Sequence, residues 1–168
     1  MAETYFRDVH ATRAAALIVL VAAATIGGAW LFQAVGFAPC ELCLTERIPY
    51  YIGVPVAAAT LMFALRKWRR LMLAGFILLF LIFAFSAGFG IYHAGVEWHF
   101  WQGPTACTGS TMTKASSMQD FLHQLQTQKV VRCDAVAIRI LGLSLAGWNA
   151  VISAVLAITA MWGARKAG

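Results

Sequence analysis

Residues 14–32 read AAALIVLVAAATIGGAWLF, a run without a single charge, and residues 33–47 continue as QAVGFAPCELCLTER. An α-helix needs roughly 20 apolar residues to cross a hydrocarbon core of about 30 Å. The first run is therefore long enough to span a membrane once. Two cysteines, Cys40 and Cys43, follow shortly after it. The sequence thus places a Cys-x-x-Cys pair at the mouth of a membrane segment.

The composition extends this interpretation to the whole chain. Of 168 residues, 61% are hydrophobic and only 12% are charged, which is far from a soluble globular domain. Uncharged stretches of sufficient length predict four spans, at residues 14–32, 48–65, 71–92 and 140–162. No repeat or linker divides the chain. We therefore predict an all-α membrane protein, with residues 1–168 forming a single four-transmembrane-helix bundle.

A cleaved signal peptide is the competing interpretation of the first span, because Arg7 and Arg13 precede it. The apolar run is longer than the roughly 7–15 residues of a signal-peptide core. We therefore expect the segment to be retained in the protein.

The lysines and arginines predict the orientation of the bundle, because such residues concentrate in cytoplasmic loops. They precede the first span, fill the turn between the second and third spans, and follow the fourth: Arg7, Arg13, Arg66, Lys67, Arg69, Arg70, Arg165 and Lys166. We expect both termini in the cytoplasm, and loops 33–47 and 93–139 on the periplasmic side of a bacterial inner (cytoplasmic) membrane. Anchoring beside anionic lipid accounts for most of the +6 net charge, so we expect no nucleic-acid partner.

Two local features concern the helices themselves. Pro49 and Pro55 lie inside the second span, so that helix either begins near Glu46 or bends. In the second periplasmic loop, residues 117–125 carry a capping pattern followed by apolar residues at helical spacing. We expect a short amphipathic helix there, lying flat at the membrane interface.

All four cysteines, Cys40, Cys43, Cys107 and Cys133, fall in the two loops predicted to be periplasmic. This distribution is typical of an oxidising compartment. A disulfide between Cys40 and Cys43 would close too small a loop to stabilise the fold appreciably, so this pair indicates electron transfer. Cys107 and Cys133 are 26 residues apart, and for them a structural disulfide stays open.

Metal and haem sites are the alternative uses of such cysteines. Zinc sites favour compact cysteine pairs, and neither Cys107 nor Cys133 has a Cys-x-x-Cys partner. Haem attachment requires a histidine directly after the second cysteine, where this chain has Leu44. We therefore expect no metal.

Arg47 lies four residues after Cys43, so on a helix the two share one face and the guanidinium would favour a Cys43 thiolate. Glu46 is a competing partner for Arg47. A membrane dithiol must pass its electrons on, and the two-electron carrier of the bilayer is a quinone. Arg47 and His93 are the candidate groups that would stabilise charge developing on quinone oxygens.

The motif CELCLTER at 40–47, the spacing of Cys107 and Cys133, and LGL at 141–143 followed by Trp148 resemble the bacterial disulfide-bond formation protein B (DsbB) family. The resemblance covers nearly the whole chain. It implies quinone-dependent oxidation, with ubiquinone or menaquinone, of a periplasmic thioredoxin-fold partner of the DsbA type. It also implies an order of exchange, in which Cys107 accepts the partner's thiolate, Cys133 then attacks Cys40, and Cys43 is released toward the quinone.

Two other classes compete with this prediction. Proteins similar to vitamin K epoxide reductase also couple loop cysteines to a quinone, but their active Cys-x-x-Cys lies in a later span. A small non-catalytic membrane subunit with structural disulfides would be expected to carry ionisable residues in its spans. The four predicted spans contain none, although the fourth carries the polar residue Asn149.

Overall fold

A computed structural model describes residues 2–37, 39–104, 117–119, 133–136 and 138–168 of the chain. Within this part, four helices are long and apolar enough to cross a membrane, which confirms the predicted all-α membrane bundle. The helices are α1 (Ala2–Ala34), α2 (Glu41–Leu65), α3 (Arg69–Glu97) and α4 (Leu145–Ala167). A two-residue antiparallel ladder, β1 (Arg139–Ile140) with β2 (Leu143–Ser144), precedes α4.

The helices pack in a ring, each against the next, and α1 closes the ring against α4. At one end, the Arg69 side chain donates hydrogen bonds to the Ala167 carbonyl (3.2 Å), and Arg7 donates to the carbonyl of Arg165 (3.5 Å). We call this the basic end. The opposite end holds the last turns of α1 and α3 and the first turns of α2 and α4, and we call it the cysteine end. Consecutive helices are therefore antiparallel.

Each of the first three helices ends in a Schellman motif, which satisfies carbonyls that have no partner within the helix. After α1, Gly36 has a φ of 101°, the Phe37 N–H donates to the Phe32 carbonyl (3.1 Å), and the two phenyl rings are in contact. Lys67 and His99 take the same left-handed position after α2 and α3. These tight exits let the chain turn sharply out of α1 toward Cys40 and out of α3 beside the site.

Two helices begin at different places from those predicted. Helix α2 starts at Glu41, earlier than the alternative start near Glu46, because the Cys40 side chain caps it, and both Pro49 and Pro55 lie inside the helix. The fourth predicted span starts at residue 140, whereas α4 starts at Leu145. The β1–β2 turn occupies the intervening residues, and Ser144 caps the helix by accepting a hydrogen bond from the Gly147 N–H (3.1 Å).

The short interfacial helix predicted for residues 117–125 lies outside the described residues, apart from residues 117–119. It stays a prediction.

The core of the bundle lies between α3 and its neighbours and contains large side chains packed against small ones. Phe76, Leu79 and Phe83 of α3 are fully buried. A Cβ built on Gly90 would lie 2.9 Å from the backbone nitrogen of Ala150, so the backbones of α3 and α4 are in close contact where Gly90 has no side chain. This contact fixes the position of the first turns of α4 beside the cysteine end.

We expect Gly90→Val to lower stability by about 1–3 kcal/mol, because its branched side chain would force α4 away from α3. Gly88→Val is the matched control, since a Cβ at Gly88 meets no atom within 4 Å and the same change is made on the same helix. Thermal unfolding in detergent checks the difference. Equal melting temperatures for the two variants would contradict this packing.

Candidate redox site

Cys40 is the residue that caps helix α2. Its sulfur accepts a hydrogen bond from the backbone N–H of Cys43 (3.2 Å), and the two sulfur atoms lie 2.7 Å apart. The Cys-x-x-Cys spacing produces this arrangement, because a cap residue and the third residue of the following helix meet across the first turn. Cys40 is 5% exposed. The pair is therefore held together at a helix N-terminus, where negative charge is favoured.

His93 joins this pair to a buried carboxylate. Its Nε2 lies 3.8 Å from the Cys40 sulfur, and its Nδ1 lies 2.9 Å from Oε1 of Glu46. His93 is 1% exposed and Glu46 is 8% exposed. The three side chains form a Cys–His–Glu series, in which one ring nitrogen faces the thiol and the other faces the carboxylate. Such a series can hold the imidazole in one orientation and move a proton to or from the sulfur.

The surroundings of Cys40 favour its thiolate. The hydrogen bond from the Cys43 side chain is the main cause that lowers the pKa of Cys40, burial opposes it, and His93 lowers the pKa further. From the sequence, we expected the Arg47 guanidinium to stabilise a thiolate at Cys43. The structure instead directs the N–H of the helix cap and the imidazole at Cys40.

Arg47 lies at the same end of the bundle, but its hydrogen bonds join α2 to α1. Its guanidinium donates to Oε1 of Gln33 (2.7 Å) and to the Ala29 carbonyl (3.4 Å). Glu46, the competing partner considered for Arg47, pairs with His93 instead. Arg47 is therefore held toward α1 with its positive charge at the cysteine end of the bundle.

A cavity of about 280 Å³ opens beside the cysteines. It is bordered by both sulfurs, by Arg47 and His93, and by apolar side chains of α1 and α4 that include Ile26, Phe32 and Ile152. The lining on α1 runs from Ala24 to Phe32, about two helical turns. The cavity thus joins the thiol pair to the apolar interior of the bundle.

Of the two cysteines in the second predicted loop, the structure describes Cys133 and not Cys107. Cys133 is disulfide-bonded, is 2% exposed, and packs with Cys40, Leu42 and Val96 in one buried cluster. Cys40 and Cys43 are free thiols. Cys107 lies outside the described residues. Three of the six predicted site residues, Cys40, Cys43 and His93, therefore lie together, and Cys133 belongs to the same buried cluster as Cys40.

A sequence model of the family described as disulfide bond formation protein DsbB matches residues 11–163. The chain belongs to the DsbB family. The match covers all four spanning helices and the redox site. Membership in the DsbB family makes this a multi-pass membrane protein of disulfide bond formation, and it indicates a thiol oxidoreductase role for the cysteines.

Two similar proteins were found, and one of them is named for disulfide bond formation. Disulfide bond formation protein B of Polaromonas sp. (strain JS666 / ATCC BAA-500) is 27% identical over 170 residues, which covers 94% of this chain and 92% of that protein. An uncharacterized protein of Rickettsia prowazekii (strain Madrid E) is 27% identical over 123 residues, covering 73% of this chain and 69% of that protein. No solved structure matches the chain significantly.

DsbB membership also bears on the alternative functions. It favours disulfide formation over the vitamin-K-epoxide-reductase-like and non-catalytic alternatives. The ligand atoms of Cys40, Cys43 and His93 lie within 4.8 Å of one another, which is close enough to share a metal ion. A disulfide between the two cysteines would remove two of these three ligands. The absence of a metal from this DsbB protein stays a prediction.

Sequence reasoning missed three polar residues of the site. Glu46 was considered only as a partner for Arg47, Tyr50 was not considered, and Asn149 was noted only as a polar residue in a span. All three border the cavity. Glu46 and Tyr50 lie one helical turn apart on α2 and share a face with Cys43, and this spacing was the available signal.

Proposed function

We propose that this protein is a thiol:quinone oxidoreductase that reoxidises a periplasmic dithiol protein of the DsbA type and passes the electrons to a membrane quinone. In the overall reaction the partner's two thiols become one disulfide, and two electrons and two protons reduce the quinone to its quinol. The observation that carries the proposal is the shared cavity, in which the Cys40–Cys43 pair borders an apolar space between spanning helices.

The residues of the cavity fit a quinone head group. An aromatic ring needs mostly apolar walls with a few polar groups for its oxygens, and the walls from α1 and α4 provide the apolar surface. Arg47 and His93 supply positive charge and a hydrogen-bonding ring nitrogen at the cysteine end. A bound quinone would act as the two-electron acceptor when the Cys40 and Cys43 thiols become a disulfide again.

The exchange sequence on the protein uses the loop cysteines first. The partner's thiolate attacks Cys107 and forms a mixed disulfide, which releases the Cys133 thiolate. Cys133 then attacks Cys40, so that a Cys133–Cys40 disulfide forms and Cys43 leaves as a thiolate. The partner's second thiol resolves the mixed disulfide at Cys107, and the partner leaves oxidised. Cys133 and Cys40 belong to the same buried cluster, and this proximity supports Cys40 as the sulfur that is attacked.

Return of the cysteines to their starting state completes the cycle. The Cys107 thiolate attacks Cys133, which restores the Cys107–Cys133 disulfide and releases Cys40 as a thiolate. Cys40 and Cys43 then form their disulfide again, and their two electrons and two protons pass to the acceptor. His93 Nε2 faces the Cys40 sulfur, and Glu46 holds the other side of the ring. We propose that His93 exchanges protons with the sulfur during these steps, while the Arg47 charge favours electron arrival in the cavity.

The orientation in the membrane belongs to the same proposal. The cysteine end would face the periplasm of a bacterial inner membrane, and both termini would be cytoplasmic. The grouping of Arg7, Arg69 and Arg165 at the opposite end of the bundle supports this direction.

A variant that fills the cavity tests the function. Gly28 borders the cavity, and a Cβ there meets no atom within 4 Å, so Gly28→Leu should fold and occupy the space intended for the ring. We expect the KM for a short-chain quinone to rise about tenfold or more, the equivalent of about 1.4 kcal/mol of binding. Quinone absorbance during oxidation of a reduced DsbA-type protein measures the turnover.

Gly27→Leu is the matched control, because Gly27 is the exposed neighbour on the same helix and does not border the cavity. It should keep the wild-type KM. Disulfide exchange between the partner and the protein without quinone should be unchanged in both variants. Equal KM values for Gly28→Leu and Gly27→Leu would refute quinone binding in this cavity.

A further inference from the structure

We propose that the Asn149 carboxamide binds an oxygen atom of the ring carried in this cavity and is held in place by the hydroxyls of Tyr50, Ser153 and Ser86. The inference rests on the proposed quinone function and adds a positioning residue on α4 to it. It assigns a hydrogen-bonding position on the α4 wall of the cavity, which Arg47 also borders.

Asn149 is a polar residue in the first turns of α4 and borders the cavity together with Tyr50. Its Oδ1 accepts a hydrogen bond from the Tyr50 hydroxyl (2.8 Å). Its Nδ2 is buried and has no hydrogen-bond partner among the residues that the structure describes. A buried amide donor without a partner costs about 1–3 kcal/mol, so this group is expected to be used.

The orientation of the carboxamide is set by a chain of hydroxyls between three helices. The Tyr50 hydroxyl lies 2.9 Å from the Ser153 hydroxyl, and a hydrogen bond of 2.9 Å joins the hydroxyls of Ser153 and Ser86. Tyr50 is 2% exposed, Ser86 is 1% exposed and Ser153 is fully buried. Polar groups at this depth cannot exchange partners with water, so the network keeps one end of the amide bound to the Tyr50 hydroxyl and the other end toward the cavity.

The unpaired N–H donor of Asn149 indicates the kind of ligand that the cavity would bind. An N–H donor in an apolar cavity fits a ligand that is mostly apolar and carries an acceptor oxygen. A ring with a carbonyl or ether oxygen is such a ligand. A positively charged ligand would be disfavoured by the same donor and by the nearby Arg47. The cysteine sulfurs border the same cavity, so a ring bound to Asn149 would lie within the space that they share.

The carboxamide can also serve the reduced ring. A half-turn of the amide exchanges its donor for its acceptor, so that Oδ1 faces the cavity and can accept from a ring hydroxyl. The Tyr50, Ser153 and Ser86 hydroxyls are each donor and acceptor, and they can reverse their direction to follow the turn. Asn149 would therefore form one hydrogen bond with the ring before and after the two-electron transfer.

The test compares Asn149→Leu, which keeps the approximate volume without the amide, with Thr159→Val as the matched control. Thr159 is a polar residue of α4 whose hydroxyl donates to the Val155 carbonyl of its own helix, and it is not among the described residues that border this cavity. For Asn149→Leu we expect the KM for a short-chain ubiquinone analogue to rise about 5- to 10-fold, as for loss of one net hydrogen bond. The KM for the dithiol partner should not change. Thr159→Val should match the wild type.

Infrared difference spectra of bound, carbonyl-labelled quinone report the carbonyl stretching frequency. A purely structural role of Asn149 would leave this frequency unchanged. Loss of the Asn149 hydrogen bond should shift a carbonyl stretch toward that of the free quinone. Tyr50→Phe, which releases the amide without removing it, should broaden the same band and raise the KM by a smaller factor. A band of unchanged position and width accompanying wild-type KM values would overturn the proposal for Asn149.

The experiments distinguish failure of the proposed quinone function from failure of the proposed role of Asn149. If the wild-type protein reduces no quinone, the proposed function is wrong, and this inference falls with it. If the wild type turns over and Gly28→Leu is impaired, while Asn149→Leu behaves as the wild type does, the quinone cavity stands and only the role of Asn149 is refuted.

Discussion

Replacement of Cys43 by serine is expected to reduce thiol-dependent quinone reduction to the rate of the protein-free reaction. A serine hydroxyl cannot form a disulfide, and Cys40 and Cys43 are the pair that borders the cavity. Cys40→Ser should lose activity to the same extent. The two variants should differ in the disulfide that they trap, because Cys40 and Cys133 belong to the same buried cluster. In Cys43→Ser, the Cys40 thiolate should attack Cys133 of the Cys107–Cys133 disulfide and release Cys107 as a thiol. The Cys133–Cys40 disulfide should then accumulate, and peptide mass spectrometry under non-reducing conditions detects it.

Thr45→Ala is the matched control for both cysteine variants. Thr45 is exposed on the first turns of α2, two residues after Cys43, and its hydroxyl donates a hydrogen bond to the Glu41 carbonyl of its own helix. Its turnover should equal that of the wild type. The proposed order of exchange would be wrong if Cys40→Ser traps a Cys133–Cys43 disulfide readily and Cys43→Ser traps nothing.

The second large effect is expected at His93. Removal of its ring, in His93→Leu, should lower kcat by about 10²-fold, the lower limit for loss of a positioned acid–base group. The same change leaves Glu46 buried without its partner, so stability should also fall. Turnover with a DsbA-type protein and thermal unfolding in detergent measure the two consequences separately.

A double variant separates the chemical role of the pair from its structural role. Glu46→Leu with His93→Leu removes both polar groups and leaves no unpaired charge, so stability should recover toward that of the wild type. Activity should stay as low as in His93→Leu, because Cys40 still lacks its imidazole neighbour. If the double variant regains wild-type kcat, the His93–Glu46 pair only supports the fold.

The architecture was predictable because the membrane imposes strong patterns on sequence. Four uncharged runs predicted four spanning helices, and clustered basic residues predicted one basic end. Boundaries were less predictable, because they depend on local hydrogen bonds. Helix α2 begins at Glu41 because a cysteine side chain caps it, and α4 begins at Leu145 because a short β-turn precedes it.

The candidate site was predictable only where its residues are close in sequence. The Cys40–Cys43 pair followed directly from its spacing, whereas the His93–Glu46 contact joins residues 47 positions apart on different helices. Helical spacing placed Arg47 near Cys43, but hydrogen bonds to Gln33 and Ala29 draw its guanidinium toward α1. Such contacts are set by how the helices pack, and one-dimensional periodicity carries no information about them.

A single-turnover titration tests the central claim most directly. Purified protein with Cys40 and Cys43 fully reduced, and no dithiol partner present, is mixed anaerobically with one equivalent of a short-chain quinone. We predict that one quinone is reduced for every two thiols lost, and that peptide mass spectrometry then finds a Cys40–Cys43 disulfide. Unchanged thiols and unchanged quinone absorbance would contradict the account.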